Sequence, residues 1–85
     1  MVNYIPKIKD IKTLDNYNLR VIFDNNIEKD YDCSILFEKP IFQPLTNKGF
    51  FHSVKVDSGG YGISWNEDID LSEYELLTNG KLILS

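Results

Sequence analysis

The sequence predicts an α+β fold: about five antiparallel strands, arranged as a three-stranded meander plus a second hairpin, with two or three short helices. The chain has 85 residues, which suffices for one domain, and we expect that domain to span residues 1–85. Turn-forming residues recur roughly every ten residues, a spacing typical of short strands. The segments between the turns alternate apolar and polar residues, which is the two-residue period of a half-buried strand.

The meander is predicted over residues 4–32. Leu19, Val21 and Phe23 occupy alternate positions and should share one face of the clearest strand. In the segment before it the apolar residues recur irregularly, which favours a strand with a β-bulge that restores the inward face. Asn and Asp residues, which tolerate left-handed backbone, indicate the turns. The strands are residues 5–14, 19–23 and 27–32, and the turns are residues 15–18 and 24–26.

The middle of the chain carries helix signals. Asp32 or Ser34 can cap a short helix with Ile35, Leu36 and Phe37, which Pro40 ends. Residues 40–45 are then expected to form an ordered loop, and residues 46–47 to begin one more helical turn with Phe50 and Phe51. The loop should pack Ile41, Phe42 and Leu45 over the core.

A second hairpin is predicted from strands at residues 54–57 and 61–65. Gly59-Gly60 supplies the positive backbone angles that its tight turn requires. Asp70 or Ser72 can cap a final short helix. That helix should face Leu71, Tyr74 and Leu77 inward and stop at Asn79-Gly80, and the tail 81–85 fits either a last edge strand or a frayed end.

The order of several segments carries a family resemblance. The segments are Leu14-Asp15-Asn16-Tyr17-Asn18-Leu19, Val21-Ile22-Phe23-Asp24-Asn25, Phe42-Gln43-Pro44-Leu45 and Ile63-Ser64-Trp65-Asn66. In this order they resemble the prokaryotic family numbered 2442 among the domains of unknown function. The resemblance implies a small α+β companion domain, sometimes attached to a helix-turn-helix or encoded beside another small protein in toxin–antitoxin-like pairs. It brings no established catalytic residues, and without a following helix-turn-helix it does not imply direct reading of DNA.

Charge and cysteine content exclude several classes of partner and site. The net charge of −4 predicts no general attraction to nucleic acid or to anionic membranes, and no apolar run exceeds three residues. The single cysteine, Cys33, excludes an internal disulfide and suggests the cytoplasm. One cysteine and one histidine cannot build a structural zinc site, and Asp68-x-Asp70-x-Ser72 lacks the glycine of a calcium loop. We therefore expect no metal and no cofactor.

Neither candidate catalytic side chain has the sequence context of an enzyme. His52 is the only histidine, and no nucleophile-elbow motif surrounds any serine that it could activate. Cys33 follows Asp32, whereas a reactive thiolate needs positive charge nearby. The sequence therefore predicts a protein that is not an enzyme.

Acidic and aromatic side chains are the candidates for partner binding. Three acids of the third strand share one face at intervals of about 6.6 Å, and we call them the acidic stripe. Two more acids belong to a second cluster, and two aromatic residues straddle the glycine hairpin. Two other interpretations stay open: the stripe is the solvated side of a half-buried sheet, and the aromatic residues fill the core. The candidates are Glu28, Asp30 and Asp32 in the stripe, Asp68 and Asp70 in the second cluster, and the aromatic pair Tyr61 and Trp65.

These features favour a non-enzymatic protein-binding module, an antitoxin-like or regulatory companion that occludes a surface of its partner. The stripe would steer towards a basic protein, while exposed aromatics and an open sheet edge supply contact, and the same edge could pair two copies as a homodimer. The alternative is a phage or mobile-element inhibitor of a nucleic-acid enzyme whose acidic residues mimic phosphates. Further hypotheses are a small enzyme and a nucleic-acid binder that uses Lys7, Lys9 and Lys12.

Overall fold

Two antiparallel sheets and short helices make up the protein, and the α+β fold class is confirmed. The computed structural model describes residues 5–83. Its strands are β1 Ile8–Thr13, β2 Asn18–Phe23, β3 Glu28–Asp32, β4 Lys55–Val56, β5 Gly62–Ser64, β6 Asp70–Ser72 and β7 Lys81–Leu82. Its helices are α1 Lys48–Phe51 and α2 Glu73–Asn79, with 3₁₀-helices at Asp15–Tyr17, Cys33–Leu36, Pro40–Thr46 and Ser58–Gly60. The sheets have the strand orders β1-β2-β3-β7 and β4-β5-β6. Residue 4 of the predicted meander and residues 84–85 of the predicted tail lie outside the described residues.

The meander is present as β1, β2 and β3. Leu19, Val21 and Phe23 are fully buried, and the residues between them lie on the partly exposed face of β2. The register of β1 against β2 shifts between Ile8 and Asp10, so the predicted bulge is confirmed. With this shift Ile8 is buried and joins a core cluster that includes side chains from both sheets.

Residues spaced by three face the core in the 3₁₀-helices between β3 and α1. In the second of these helices, Phe42 packs against the core and Leu45 is fully buried. A 3₁₀-helix has three residues per turn, so these positions lie on one side of it. The expectation that Ile41 packs over the core is wrong, because it lies off that side and is 52% exposed. Ile35 in the first helix is exposed for the same reason.

Side-chain caps begin three of the helices at predicted positions. The capping residues are Asp32, Asn47 and Ser72, whose side-chain oxygens accept the backbone N–H groups of Ser34, Phe50 and Glu75 at 2.9, 2.9 and 3.1 Å. Each cap satisfies a backbone donor that the helix itself leaves without a partner. The predicted helix starts thus follow from local side-chain chemistry.

The end of the chain departs from the prediction at Leu71 and Tyr74. Leu71 is buried as expected, but it belongs to the short strand β6, which the sequence did not predict. Leu76 is the fully buried residue of α2. Tyr74 precedes it by two positions, about 200° around the helix, and therefore points outward instead of inward. The tail does form a last edge strand, because β7 pairs with β3.

Polar contacts hold α2 against β3. The Tyr31 hydroxyl donates to Glu75 Oε2 at 2.8 Å, and Lys29 Nζ donates to the carbonyl of Leu77 near the end of the helix. Leu76 lies on the same helix and is fully buried. A helix of only seven residues is marginally stable by itself, so the stability of α2 depends on these contacts.

The core contains two side chains that titrate at alkaline pH. Burial, followed by the charge of Asp32, raises the pKa of the Cys33 thiol to about 12. Burial, followed by the hydrogen bond to Glu75, raises the pKa of Tyr31 well above its ordinary value. Both groups therefore keep their protons in the folded state at pH values at which the unfolded chain loses them.

We predict that Gly60→Ala destabilises the fold strongly. Gly60 has a φ of 76°, and a Cβ there would lie 2.5 Å from the carbonyl oxygen of Ile8. The free energy of unfolding, measured with urea, should fall by about 3 kcal/mol or more. Gly49→Ala is the matched control, because Gly49 lies in α1 and its Cβ would meet only Asn47 Oδ1 at 3.4 Å. The control should change stability by less than about 1 kcal/mol. Equal effects of the two substitutions would contradict the close packing of this turn.

We predict that the free energy of unfolding falls as pH rises from about 9 towards 12. The folded chain retains the Cys33 proton in this range while the unfolded chain releases it, so ionisation favours unfolding. Cys33→Ala should remove this share of the loss, on the order of 1–3 kcal/mol, and leave the share due to Tyr31. Urea unfolding of the parent and of the Cys33→Ala variant at pH 7.5, 9 and 10 measures the loss of stability in each. If the variant and the parent lose the same stability over this range, Cys33 is not the group responsible.

Candidate functional site

The glycine turn between β4 and β5 presents Tyr61 as an ordered, exposed aromatic side chain. Gly59 and Gly60 have φ values of 81° and 76°, as the sequence predicts. Tyr61 is 61% exposed. Its ring lies against Gly59, where a Cβ would come within 2.7 Å of the ring, and Lys7 Nζ lies 4.4 Å from the ring centroid. The ring is therefore held on two sides before any partner arrives.

A second exposed tyrosine, Tyr74, follows a residue that is hydrogen-bonded to the backbone of Tyr61. The N–H of Glu73 donates to the carbonyl of Tyr61 at 3.0 Å, and Tyr74 follows Glu73 in α2. Tyr74 is 61% exposed. Glu73 also accepts from Lys7 Nζ at 3.2 Å, so one lysine contacts both Tyr61 and the start of α2. We call Lys7, Tyr61, Glu73 and Tyr74 the tyrosine surface.

The acid Asp70 begins β6, Asp68 lies just before that strand, and Tyr61 lies just before the neighbouring strand β5. Asp70 pairs with Ser64 in the β5–β6 ladder, and Gly62, next to Tyr61, pairs with Ser72. Both aspartates are exposed, and within residues 5–83 neither carboxylate has a hydrogen-bond or ion-pair partner. These carboxylates are thus available to a partner at the edge formed by β6.

Trp65 does not serve as an exposed anchor. Its side chain is only 9% exposed, its Nε1 donates to the carbonyl of Phe51 at 2.9 Å, and its ring stacks on that of Phe51. The expectation of an exposed Trp65 is therefore wrong. The indole fills the core beneath α1, where its polar N–H finds a backbone acceptor.

Two residues of the acidic stripe are engaged inside the molecule. Asp30 accepts two hydrogen bonds from the Arg20 guanidinium, at 2.8 and 2.9 Å, and this contact raises the pKa of Arg20. Asp32 accepts from the backbone and hydroxyl of Ser34. Glu28 shares their face of β3 and is partly buried. The stripe thus belongs largely to the cross-strand pairing and capping of its own sheet, and it lies on a different sheet from Asp70.

A groove of about 610 Å³ lies beside Leu14, just after β1, whereas the tyrosine surface includes Lys7, just before β1. It is lined by Leu14, Asp15, Asn16, Tyr17, Ser34, Lys48, Phe51 and His52, and we call it the His52 groove. It opens to solvent, and both apolar and polar side chains line it. No local sequence pattern predicts this groove, because its walls come from three separated segments of the chain.

Left-handed backbone shapes one wall of the His52 groove. Asn16 and Tyr17 have φ values of 61° and 60°. Such a conformation costs about 1–3 kcal/mol at a residue other than glycine and persists only where the surroundings impose it. Here the Tyr17 hydroxyl donates to the carbonyl of Thr46 at 2.7 Å, and its ring makes edge contacts with Phe37 and Phe51. The wall is consequently fixed by packing.

His52 pairs with a hydroxyl at the rim of the groove. Its Nδ1 lies 2.7 Å from Thr13 Oγ1. A catalytic triad would also need a carboxylate hydrogen-bonded to the imidazole, and none among residues 5–83 makes that bond. The Ser34 hydroxyl, also in the groove, donates to Asp32 Oδ1 at 2.6 Å. The buried Cys33 thiol has a raised pKa, which is the opposite of what a nucleophile requires.

Residues 5–83 bring together no group of three or more His, Cys, Asp or Glu side chains suited to a metal ion. In the same range, every helix is too short or too polar to cross a bilayer.

Sequence reasoning missed three members of the tyrosine surface. Sequence patterns predict Lys7 in a basic patch, but Lys7 pairs with Glu73 across 66 positions of sequence, which no local pattern reveals. Glu73 belongs to the same acidic segment as Asp68 and Asp70, and its neighbours do not mark it as the partner of a lysine. The prediction that Tyr74 faces inward is wrong, although the cap at Ser72 together with an inward Leu76 indicates an outward position.

Comparison with protein families matched residues 8–81 to the family described as "Protein of unknown function (DUF2442)". The match runs from the first residue of β1 to the first residue of β7 and so includes both sheets. Comparisons with curated proteins and with solved structures gave no match. The resemblance predicted from the order of the sequence segments is confirmed, and the chain belongs to the DUF2442 family.

Proposed function

We propose that this protein is a non-enzymatic protein-binding module, an antitoxin-like or regulatory companion whose contact surface is the tyrosine surface. The observation that carries the proposal is the exposed, pre-ordered ring of Tyr61, held between Gly59 and Lys7. In this proposal the partner is a protein of the cytoplasm, where a lone thiol such as Cys33 stays reduced.

Ordering before binding favours Tyr61 as an anchor. Immobilising a flexible side chain on association costs about 0.5–1.5 kcal/mol, and a ring already held in place avoids most of that cost. Tyrosine also offers a large apolar area and a hydroxyl at its tip, which makes it frequent among the residues that dominate binding energy. Tyr74 adds a second ring of equal exposure, one residue after Glu73, whose backbone N–H donates to the Tyr61 carbonyl.

Charge favours a basic partner. The chain carries a net charge of −4, and Asp68 and Asp70 are exposed at the start of β6, the strand that pairs with the β5 strand after Tyr61. Opposite charge at an interface raises the association rate and disfavours other acidic proteins. Arg20 and Ser34 already engage two acids of the stripe, so the second cluster is the better candidate for steering.

The mechanism would be occlusion: the module covers a surface that its partner needs. The sheet edges favour a different protein over a second copy as that partner. β1 carries a bulge and the exposed lysines Lys9 and Lys12, features that discourage strand pairing, and β7 is only two residues long.

An inhibitor of a nucleic-acid enzyme is the second candidate function. The exposed carboxylates of Asp68 and Asp70 favour it, because phosphate mimicry needs acids without internal partners. Recovery of a nucleic-acid enzyme as the partner, with inhibition that weakens steeply as salt increases, would support this function over that of a regulatory companion.

We predict that Tyr61→Ala lowers recovery of the native partner about tenfold or more, because it removes the pre-ordered anchor. The measurement is a pull-down from native cells with quantitative mass spectrometry. Tyr74→Ala should have a smaller effect in the same direction. Ile41→Ala is the matched control, since Ile41 is also a large exposed apolar residue but lies in a different part of the fold. Equal recovery by Tyr61→Ala and the parent, or loss with Ile41→Ala instead, would refute the assignment of this surface.

We predict that Asp68→Asn together with Asp70→Asn slows association and flattens its salt dependence. Asp30→Asn is the control, because its carboxylate is bound to Arg20 and should affect the stability of the sheet but not binding. Association rates with the recovered partner at several salt concentrations provide the test. A larger kinetic effect from Asp30→Asn would move the steering role to the stripe.

A further inference from the structure

We infer that the His52 groove is a second binding site, which takes a single carboxylate attached to a compact apolar group. Its volume of about 610 Å³ falls within the range of roughly 300–1,000 Å³ that is usual for small-ligand sites. Its lining combines three apolar or aromatic side chains, Leu14, Tyr17 and Phe51, with polar and charged ones that include Lys48 and His52.

The apolar and aromatic side chains of the lining provide a place for the apolar group of the ligand. These side chains are Leu14, Tyr17 and Phe51, and Phe51 is buried against Trp65. Tyr17 is fixed by its hydroxyl bond to Thr46 and by its ring contacts, in a left-handed backbone conformation. The groove therefore exists before a ligand enters, as a pre-organised site requires.

The polar groups select the charge of the ligand. Lys48 and His52 are four positions apart, about one turn, and both line the groove. Lys48 makes no ion pair with any residue from 5 to 83, and the contact of His52 Nδ1 with Thr13 leaves Nε2 as the ring nitrogen for a ligand. Asp15 also lines the groove, and its charge disfavours anions with two or more charges, such as phosphates. One carboxylate is thus the anion that the lining suits best.

This site is separate from the tyrosine surface and does not rest on the proposed function. Lys7, just before β1, contacts Tyr61, whereas Thr13, the last residue of β1, contacts His52. The six residues of the strand span about 20 Å at roughly 3.3 Å per residue. A ligand of the groove and a partner on the tyrosine surface would therefore occupy opposite ends of the same strand.

NMR titration of the ¹⁵N-labelled chain tests the inference. Phenylacetate should shift the amide signals of residues 14–17 and 48–52 in a saturable way. The neutral probe 2-phenylethanol and inorganic phosphate should each bind at least about fivefold more weakly. Lys48→Gln should weaken phenylacetate binding about fivefold, whereas Lys55→Gln, an exposed lysine outside the groove, should not.

Three results would overturn the inference. They are the absence of saturable shifts with phenylacetate, equal affinity for the alcohol or for phosphate, and equal affinity of the Lys48→Gln and Lys55→Gln variants. The peptide Gly-Gly-Phe, with either a free or an amidated C-terminus, then identifies the source of the carboxylate. Tighter binding of the free peptide than of phenylacetate supports a protein C-terminus as ligand. Binding of phenylacetate alone supports a free carboxylic acid.

Discussion

The close approach of Gly60 to the backbone of Ile8 is the constraint on which the arrangement of the two sheets depends. A side-chain carbon at Gly60 would lie 2.5 Å from the carbonyl oxygen of Ile8, so only glycine allows the second hairpin to pack this tightly against β1. The same turn fixes where Tyr61 emerges and brings its ring to Lys7. Through Lys7 and the backbone of Tyr61, the contact extends to Glu73 and the start of α2.

A chain of 85 residues uses most of its large apolar side chains for its own core. The buried set includes Trp65, and among residues 5–83 this leaves Tyr61 and Tyr74 as the aromatic residues most exposed to a partner. The acidic side chains also fall into two groups, those bound within the fold and those free to contact a partner. Those of Asp30 and Asp32 serve the sheet and a helix cap, while those of Asp68 and Asp70 remain available. We therefore propose binding roles for what the core does not use: a surface at one end of β1 and a groove at the other.

Local patterns predicted much of the fold because local chemistry determines it. Alternation placed Leu19, Val21 and Phe23 in the core, irregular spacing revealed the bulge near Ile8, and tandem glycines located the second turn. The prediction was wrong for residues 40–45, where a 3₁₀-helix forms instead of the expected loop and exposes Ile41 to solvent. The candidate sites were harder to predict, because their decisive contacts join distant segments. Thr13 and His52 are 39 positions apart, and nothing in either neighbourhood indicates the other.

Hydrogen–deuterium exchange of the chain, alone and with the partner recovered from native cells, would test the central claim most directly. That claim is that the tyrosine surface is the contact surface. The account predicts slower exchange on binding in residues 58–62 and 70–76, with the rest of the chain unchanged. Slower exchange confined to residues 14–17 and 48–52, or to the acidic stripe on β3, would contradict it.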